Sequence, residues 1–71
     1  MITVTISGRA GSGKSTLAMK RYEEFKAEGK SVAMLDSDSY GDYFSDEKAR
    51  TNPDVKIVTE LNNRYLKEVQ S

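Results

Sequence analysis

The sequence predicts an α/β domain in which three parallel strands form one sheet with flanking helices. Three segments predict it: alternating β-branched residues at 2–6, an amphipathic stretch at 16–28 and a second apolar run at 31–35. Two strands joined by a helix are typical of a parallel β-α-β unit. We expect residues 1–71 to form one domain, because a chain of this length builds a single small core.

Each of these elements has a local physical reason. Residues 2–6 alternate apolar and polar side chains, which favours a strand. From Gly13 onward, a helix would carry Ala18, Tyr22 and Phe25 on one apolar stripe and end at Gly29. The run at 31–35, which is apolar from residue 32 onward, predicts a strand buried on both faces and ending at Asp36.

The remainder of the chain is less regular. Residues 45–50 predict a short helix with Ser45 as its N-cap. Residues 55–59 have strand composition, and a short helix would follow with its apolar residues inward (Leu61, Tyr65, Leu66 and Val69). The alternative is one long helix that begins at Pro53. We favour the third strand, because a two-stranded sheet would be hard to stabilise alone.

Between the first strand and the helix lies a glycine-rich loop. Residues 8–15 read Gly-Arg-Ala-Gly-Ser-Gly-Lys-Ser, the G-x-x-x-x-G-K-[ST] pattern of a phosphate-binding loop. Its glycines let successive backbone N–H groups face an anion, and the helix N-terminus adds a positive dipole. We predict that it binds a nucleoside triphosphate, ATP or alternatively GTP, through Gly8, Arg9, Ala10, Gly11, Ser12, Gly13, Lys14, Ser15 and Thr16.

The side chains of the loop have separate expected roles. Lys14 would contact the β- and γ-phosphates as a catalytic cation, Ser15 would offer its hydroxyl to Mg²⁺, and Thr16 would contact the α-phosphate. Arg9 either leans over the nucleotide or faces solvent.

A pair of carboxylates follows the second predicted strand. Ligands of open α/β sheets lie beyond the carboxyl ends of the strands, where Asp36 and Asp38 are expected. Both are candidate catalytic residues: one can take a proton from an acceptor hydroxyl, and Asp36 can hold Mg²⁺. Which residue is the base stays open, and the alternative is that both only cap a turn.

Four further residues are weaker candidates for the functional site. Arg50 and Arg64 would either supply a cation to the transferred group or remain solvated at the surface. The pair at positions 59 and 60, Thr59 and Glu60, follows an apolar run and would support Mg²⁺ from a further strand.

Composition limits the partners. Eleven basic and eleven acidic side chains cancel, so no global field recruits nucleic acid or an anionic membrane. There is no cysteine, no apolar run of membrane-spanning length and no secretion signal at the start. We expect a cytoplasmic protein with a nucleoside triphosphate and an unidentified small-molecule acceptor as its ligands.

The stretch from residue 2 to residue 38 resembles small-molecule kinases of the phosphate-loop (Walker A) NTPase superfamily, most closely the N-terminal half of adenylylsulfate kinases. The shared features are the loop from Gly8 to Thr16, the helix ending at Gly29 and the strand that finishes Leu35-Asp36-Ser37-Asp38. Residues 44–47 and 58–61, with Tyr65, are similar to later segments of the same family. The Asp-Ser-Asp triplet also resembles shikimate kinases and, with the tyrosine that follows, phage polynucleotide kinases.

This resemblance implies a reduced version of the superfamily fold, in which three parallel strands have the order 2-3-1. The sequence ends after the third predicted strand, so the first strand would be a sheet edge with unpaired backbone groups. We expect a second copy of the chain to cover that edge and form a homodimer.

Two functions follow for the predicted domain. The first is an ATP- and Mg²⁺-dependent kinase that transfers a phosphoryl group to a small hydroxyl acceptor. The alternative is a non-catalytic nucleotide-binding module that acts through a partner protein or by self-assembly. A purely structural role for a minimal fold is the third interpretation.

Overall fold

The computed structural model describes residues 1–36 and 41–71, which form one mixed sheet and two helices. The strands are β1 (Ile2–Gly8), β2 (Val32–Asp36), β3 (Gly41–Phe44), β4 (Val55–Leu61) and β5 (Lys67–Gln70). The helices are α1 (Lys14–Ala27) and α2 (Glu47–Thr51). The predicted α/β class is therefore confirmed.

The sheet differs from the prediction in size and direction. It has five strands in the order β3-β2-β4-β1-β5, not three parallel ones. β4 pairs in parallel with β1 and with β2, whereas β3 and β5 are antiparallel to their neighbours. The parallel strands thus occupy the centre, and an antiparallel strand flanks them on each side.

Helix α1 covers one face of the central strands and closes the core. Its buried residues Ala18 and Tyr22 pack with the inward side chains of β1, β2 and β4, which are Val4, Ile6, Val32, Met34, Val55 and Ile57. Leu17 and Phe25 lie at the border of this cluster, as the helical spacing predicts. Packing α1 against the sheet fixes where its N-terminus lies relative to the strand ends.

A second contact fixes α1 to the edge of the sheet. The Nε atom of Arg21 lies 2.8 and 3.0 Å from the two carboxylate oxygens of Glu68 on β5, and Arg21 Nη1 also donates to Glu24. The hydrogen bond from Arg21 holds the pKa of Glu68 below its ordinary value. This ion pair joins residues 47 positions apart in sequence.

The C-terminal third confirms the predicted third strand but corrects both helix predictions. Residues 55–61 form β4, so the long helix is wrong, and the short helix predicted after it is wrong as well because residues 67–70 form β5. The apolar residues predicted to face inward are instead exposed: Leu61, Tyr65, Leu66 and Val69. Helical spacing among a few apolar residues did not outweigh the backbone pairing that β5 gains from β1.

The position of β5 also changes the expected assembly. β1 pairs with β4 on one side and with β5 on the other, so its backbone groups are bonded within the chain. The homodimer expected through a free β1 edge therefore loses its basis. Within residues 1–36 and 41–71, no helix is long and apolar enough to cross a membrane.

Candidate phosphate-binding site

The glycine-rich loop follows β1 and leads directly into α1. Gly13 is the N-cap of α1, with a φ angle of 91° in the left-handed region, which glycine adopts without steric cost. The carbonyl oxygen of Arg9 accepts from the backbone N–H of Ser12 at 3.1 Å and from the Nζ atom of Lys14 at 3.4 Å. The loop therefore curls around the side chain of Lys14, whose amine contacts the Arg9 carbonyl.

Gly8 is required by close packing and not by its backbone angles. A Cβ atom there would lie 2.6 Å from Ser12 Oγ and 3.2 Å from the Cα atom of Leu66. Ser12 Oγ is itself buried, without a hydrogen-bond partner in the part of the chain that the structure describes. The loop therefore closes tightly over the end of β1, and even a methyl group at Gly8 would displace it.

The N-terminus of α1 opens onto a cavity of about 450 Å³, which we call the phosphate cavity. It is lined by the loop and the first helical turn, together with Leu61 (Ala10, Gly11, Gly13, Lys14, Ser15 and Thr16). No side chain caps this helix, and its first turn holds no acidic residue. In the described ranges no carboxylate lines this cavity, so the positive end of the helix dipole is available to an anion there.

Lys14 contributes a buried cation to the same cavity. It is only 4% exposed, although it begins α1 and lines the phosphate cavity. Buried ammonium groups need oxygen partners, and the Arg9 carbonyl supplies one. An anion in the cavity would meet this charge together with the first-turn N–H groups.

Asp36 lies at the carboxyl end of β2, where the sequence predicted it. Its side chain is 1% exposed, and its Oδ1 atom accepts a hydrogen bond of 3.1 Å from Thr59 Oγ1 on the neighbouring strand β4. Thr59 is itself 6% exposed. The sequence predicts Thr59 near a metal but does not reveal its contact with Asp36. That contact depends on the pairing of β2 with β4.

The other predicted residues are distributed differently. Asp38 lies outside the described residues. Arg64 lies beside the phosphate loop, where it lines an open depression with Arg9. Arg50 instead stacks over the Phe44 ring, with its guanidinium carbon 4.6 Å from the ring centroid, and Glu60 is exposed.

The two predicted metal ligands, Ser15 and Asp36, carry oxygen donors, which suit Mg²⁺ better than a metal coordinated entirely by protein side chains. In the described ranges 1–36 and 41–71, no three residues of the types His, Cys, Asp and Glu form a metal-binding cluster. Mg²⁺ is usually held by one or two protein oxygens, with phosphates and waters completing its shell. The Ser15 hydroxyl and the Asp36 carboxylate are oxygen donors of this kind.

A strand, a glycine-rich loop and a helix around a buried lysine define a phosphate-loop nucleotide-binding protein. A family model described as adenylylsulphate kinase matches residues 1–66, and the chain belongs to this family of phosphate-loop kinases. No curated protein and no solved structure matches the chain. Membership indicates a nucleotide-binding, kinase-like role that involves ATP and Mg²⁺ in general.

Proposed function

We propose that this chain binds ATP with Mg²⁺ and transfers the γ-phosphoryl group to the hydroxyl group of a small molecule. Lys14 holds the β- and γ-phosphates, and the backbone N–H groups of the loop from Gly8 to Thr16 hold the remaining phosphate oxygens. Ser15 and Asp36 would be the oxygen ligands of Mg²⁺, which when bound would neutralise charge on the phosphates. The phosphate cavity beside the uncapped N-terminus of α1 is the observation that carries this proposal.

The proposed step is a direct displacement. The acceptor oxygen forms a bond to the γ-phosphorus atom while the bond from that atom to the β–γ bridging oxygen breaks, which leaves ADP. The acceptor proton passes to a carboxylate and then to solvent. Positioning and charge stabilisation supply most of the catalysis in such reactions, so a lysine and a short loop are suited to it.

The two aspartates receive different proposed roles. Asp36 is almost fully buried and fixed by Thr59, which suits a metal ligand that must keep one orientation. With Asp36 assigned to the metal, we assign proton removal to Asp38, the other candidate that the sequence predicts, which lies outside the described residues.

The proposal is tested with γ-labelled ATP, Mg²⁺ and a panel of small hydroxyl acceptors. Lys14→Ala should weaken ATP binding by about 10- to 100-fold, because hydrogen bonds to charged groups contribute about 1.5–3 kcal/mol. Lys20→Ala is the matched control, since Lys20 is an exposed lysine on the same helix. Asp36→Asn should abolish phosphoryl transfer while ATP binding without metal is retained.

The control for Asp36→Asn is Asp42→Asn, because Asp42 is an exposed aspartate on β3. Circular dichroism of each variant checks that the fold is intact. Transfer that survives in Asp36→Asn would contradict the assigned role of this carboxylate. Wild-type protein that binds ATP but labels no acceptor would instead identify a nucleotide-binding module without kinase activity.

A further inference from the structure

The two faces of the sheet are covered to different extents. On the face that packs against α1, six side chains of β1, β2 and β4 are fully buried (Val4, Ile6, Val32, Met34, Val55 and Ile57). The alternate residues of β1 and β4, which point to the opposite face, are only partly buried or exposed. Parallel strands are normally covered on both faces. The face opposite α1 is therefore a candidate interaction surface.

Strand register places a largely apolar row across this face. Leu35 on β2 is in register with Val58 on β4, and Val58 is in register with Thr5 on β1. Thr5 is in turn in register with Val69 on β5, which is 45% exposed. Contiguous apolar surface that stays open to water marks interaction sites. We call these four residues the apolar row and the face that carries them the open face.

Helix α2 covers only one corner of the open face. It contacts β2 and β3, and its residues Ala49 and Arg50 line an open groove together with Ala33 and Lys56. In the part of the chain that the structure describes, no second helix lies on this face, because α1 packs on the other one. Most of the apolar row therefore remains accessible to a partner.

Two charged residues of opposite sign flank the centre of the apolar row. Lys56 and Glu60 lie two residues before and two residues after Val58 on β4, so all three point to the open face. At about 3.3 Å per residue, each charged residue is about 7 Å from Val58 along the strand. Neither charged side chain forms a salt bridge with another described residue. Along β4, the open face is thus positive, then apolar, then negative.

This order of charges is complementary to itself. In a two-fold symmetric interface the same surface of both copies meets, so each contact occurs twice. When the two-fold axis is parallel to the apolar row, β4 of one copy runs antiparallel to β4 of the other. Val58 then meets Val58 of the partner subunit, and Lys56 meets Glu60 of the partner subunit. A parallel arrangement of the two strands would instead bring like charges together.

We propose that the open face binds a second copy of this chain, so that two chains form a face-to-face homodimer. The apolar row lies at the centre of this interface, with a Lys56–Glu60 ion pair on each side. The two sheets pack about 10 Å apart, with their strand axes within about 30° of each other. No residue of the apolar row and neither charged residue lines the phosphate cavity, so this proposal does not depend on the proposed activity.

The first test measures the mass of the chain in solution by sedimentation equilibrium, over a wide range of concentration and with and without ATP. The wild type should approach twice its chain mass of 7.9 kDa as the concentration rises. Val58→Asp sets two like charges against each other at the two-fold axis. It should raise the dissociation constant of the dimer by about 100-fold or more, and circular dichroism checks its fold.

Charge reversal tests the antiparallel arrangement. Lys56→Glu and Glu60→Lys should each raise the dissociation constant of the dimer by about 10-fold, because both attractive pairs become repulsive. An equimolar mixture of these two variants should restore the wild-type affinity, since opposite charges again meet at both pairs. Lys20→Glu, at an exposed position on α1, is the control and should have no effect.

A wild-type mass of one chain at every concentration would overturn the proposal. A dimer that the charge reversals do not weaken, or that mixing the two variants does not restore, would also overturn it, because the copies would then meet in a different way. Should Val58→Asp fail to fold, these charge variants decide the question.

Discussion

The two helices begin in different ways, although each follows a strand of the same sheet. α1 starts at Gly13, without a side-chain cap and without an acidic residue in its first turn. α2 starts at Asp46, whose side chain accepts from the Ala49 N–H at 2.9 Å, and Glu47 follows in its first turn. Among the described residues, a side chain accepts a hydrogen bond from a first-turn N–H group of α2, and none does so for α1.

This difference in capping distinguishes the polar cluster at the start of α2, which stabilises the fold, from the candidate binding site at the start of α1. Around α2, Asp46 also accepts from Ser31 Oγ, and Asp54 accepts from the Ser31 N–H and from Lys48. These carboxylates satisfy donors of their own chain. Around α1, the donors and the buried Lys14 face a cavity that no carboxylate of the described residues lines, so we expect the phosphates of a nucleotide to supply the negative charge there.

The largest expected effect comes from giving α1 the acid that α2 already has. Thr16→Glu places a carboxylate in the first turn of α1, at an exposed position lining the phosphate cavity. Two like charges about 4 Å apart repel by about 4 kcal/mol at an effective dielectric constant of 20. A repulsion of this size corresponds to about a 1,000-fold loss, and solvent screening at this exposed position reduces it. We therefore expect the ATP affinity, measured by titration calorimetry, to fall by about 100-fold.

The same substitution should leave the fold intact or stabilise it, because an acid near a helix N-terminus contributes about 0.3–1 kcal/mol. Thr16→Gln, of equal size and without the charge, is the control and should keep most of the affinity. Unchanged ATP binding in Thr16→Glu would place the phosphates away from this helix terminus.

The converse change removes the cap from α2. Asp46→Ala deletes the acceptor of the Ala49 N–H and of Ser31 Oγ, which should lower the free energy of unfolding by about 1–2 kcal/mol. ATP affinity should not change, since this cluster is separate from the phosphate cavity. Urea unfolding of Asp46→Ala beside Asp42→Ala measures the effect. A large loss of ATP affinity in a folded Asp46→Ala protein would contradict the claim that the cluster at α2 has no part in nucleotide binding.

The smallest effect concerns the ion pair that holds α1, a helix without a side-chain cap, against β5. Glu68 has a lowered pKa because of Arg21, so its contribution to stability is complete above its unfolded pKa. That contribution is lost as the pH falls below the ordinary value of 4.5 and through the lowered folded-state pKa. Because the pair is partly exposed, we expect Glu68→Gln to cost under about 1 kcal/mol at neutral pH.

Thermal unfolding of wild type and Glu68→Gln across the acid range checks this sign. The two stabilities should converge as the pH falls, since protonation removes the same charge that the substitution removes. A difference that grows toward acid pH would contradict the assigned pKa direction.

The first half of the chain was predictable because its signals are local. The alternation at residues 2–6, the apolar stripe of Ala18, Tyr22 and Phe25, and Gly29 are all found where the sequence placed them. The phosphate loop could also be located from eight residues, because its conformation depends on glycines close together in sequence.

The C-terminal strand β5 was not predictable, because the interaction that forms it is not local. β5 is short and polar, with Val69 as its one apolar residue, and it forms because β1 offers backbone partners 60 to 66 positions earlier in the chain. Composition does not encode such a pairing. The N-cap of α2 was misassigned by one residue: Ser45 Oγ accepts instead from the Val32 N–H, a contact between segments distant in sequence.

The most direct test of the central claim is an amide proton–nitrogen correlation spectrum recorded during titration with ATP and Mg²⁺. The amides of residues 8–16 should shift strongly and saturate together, whereas those of residues 46–49 at the start of α2 should stay in place. Shifts absent from the loop at saturating ATP, or of equal size at both helix N-termini, would contradict the claim that the uncapped terminus of α1 is the triphosphate site.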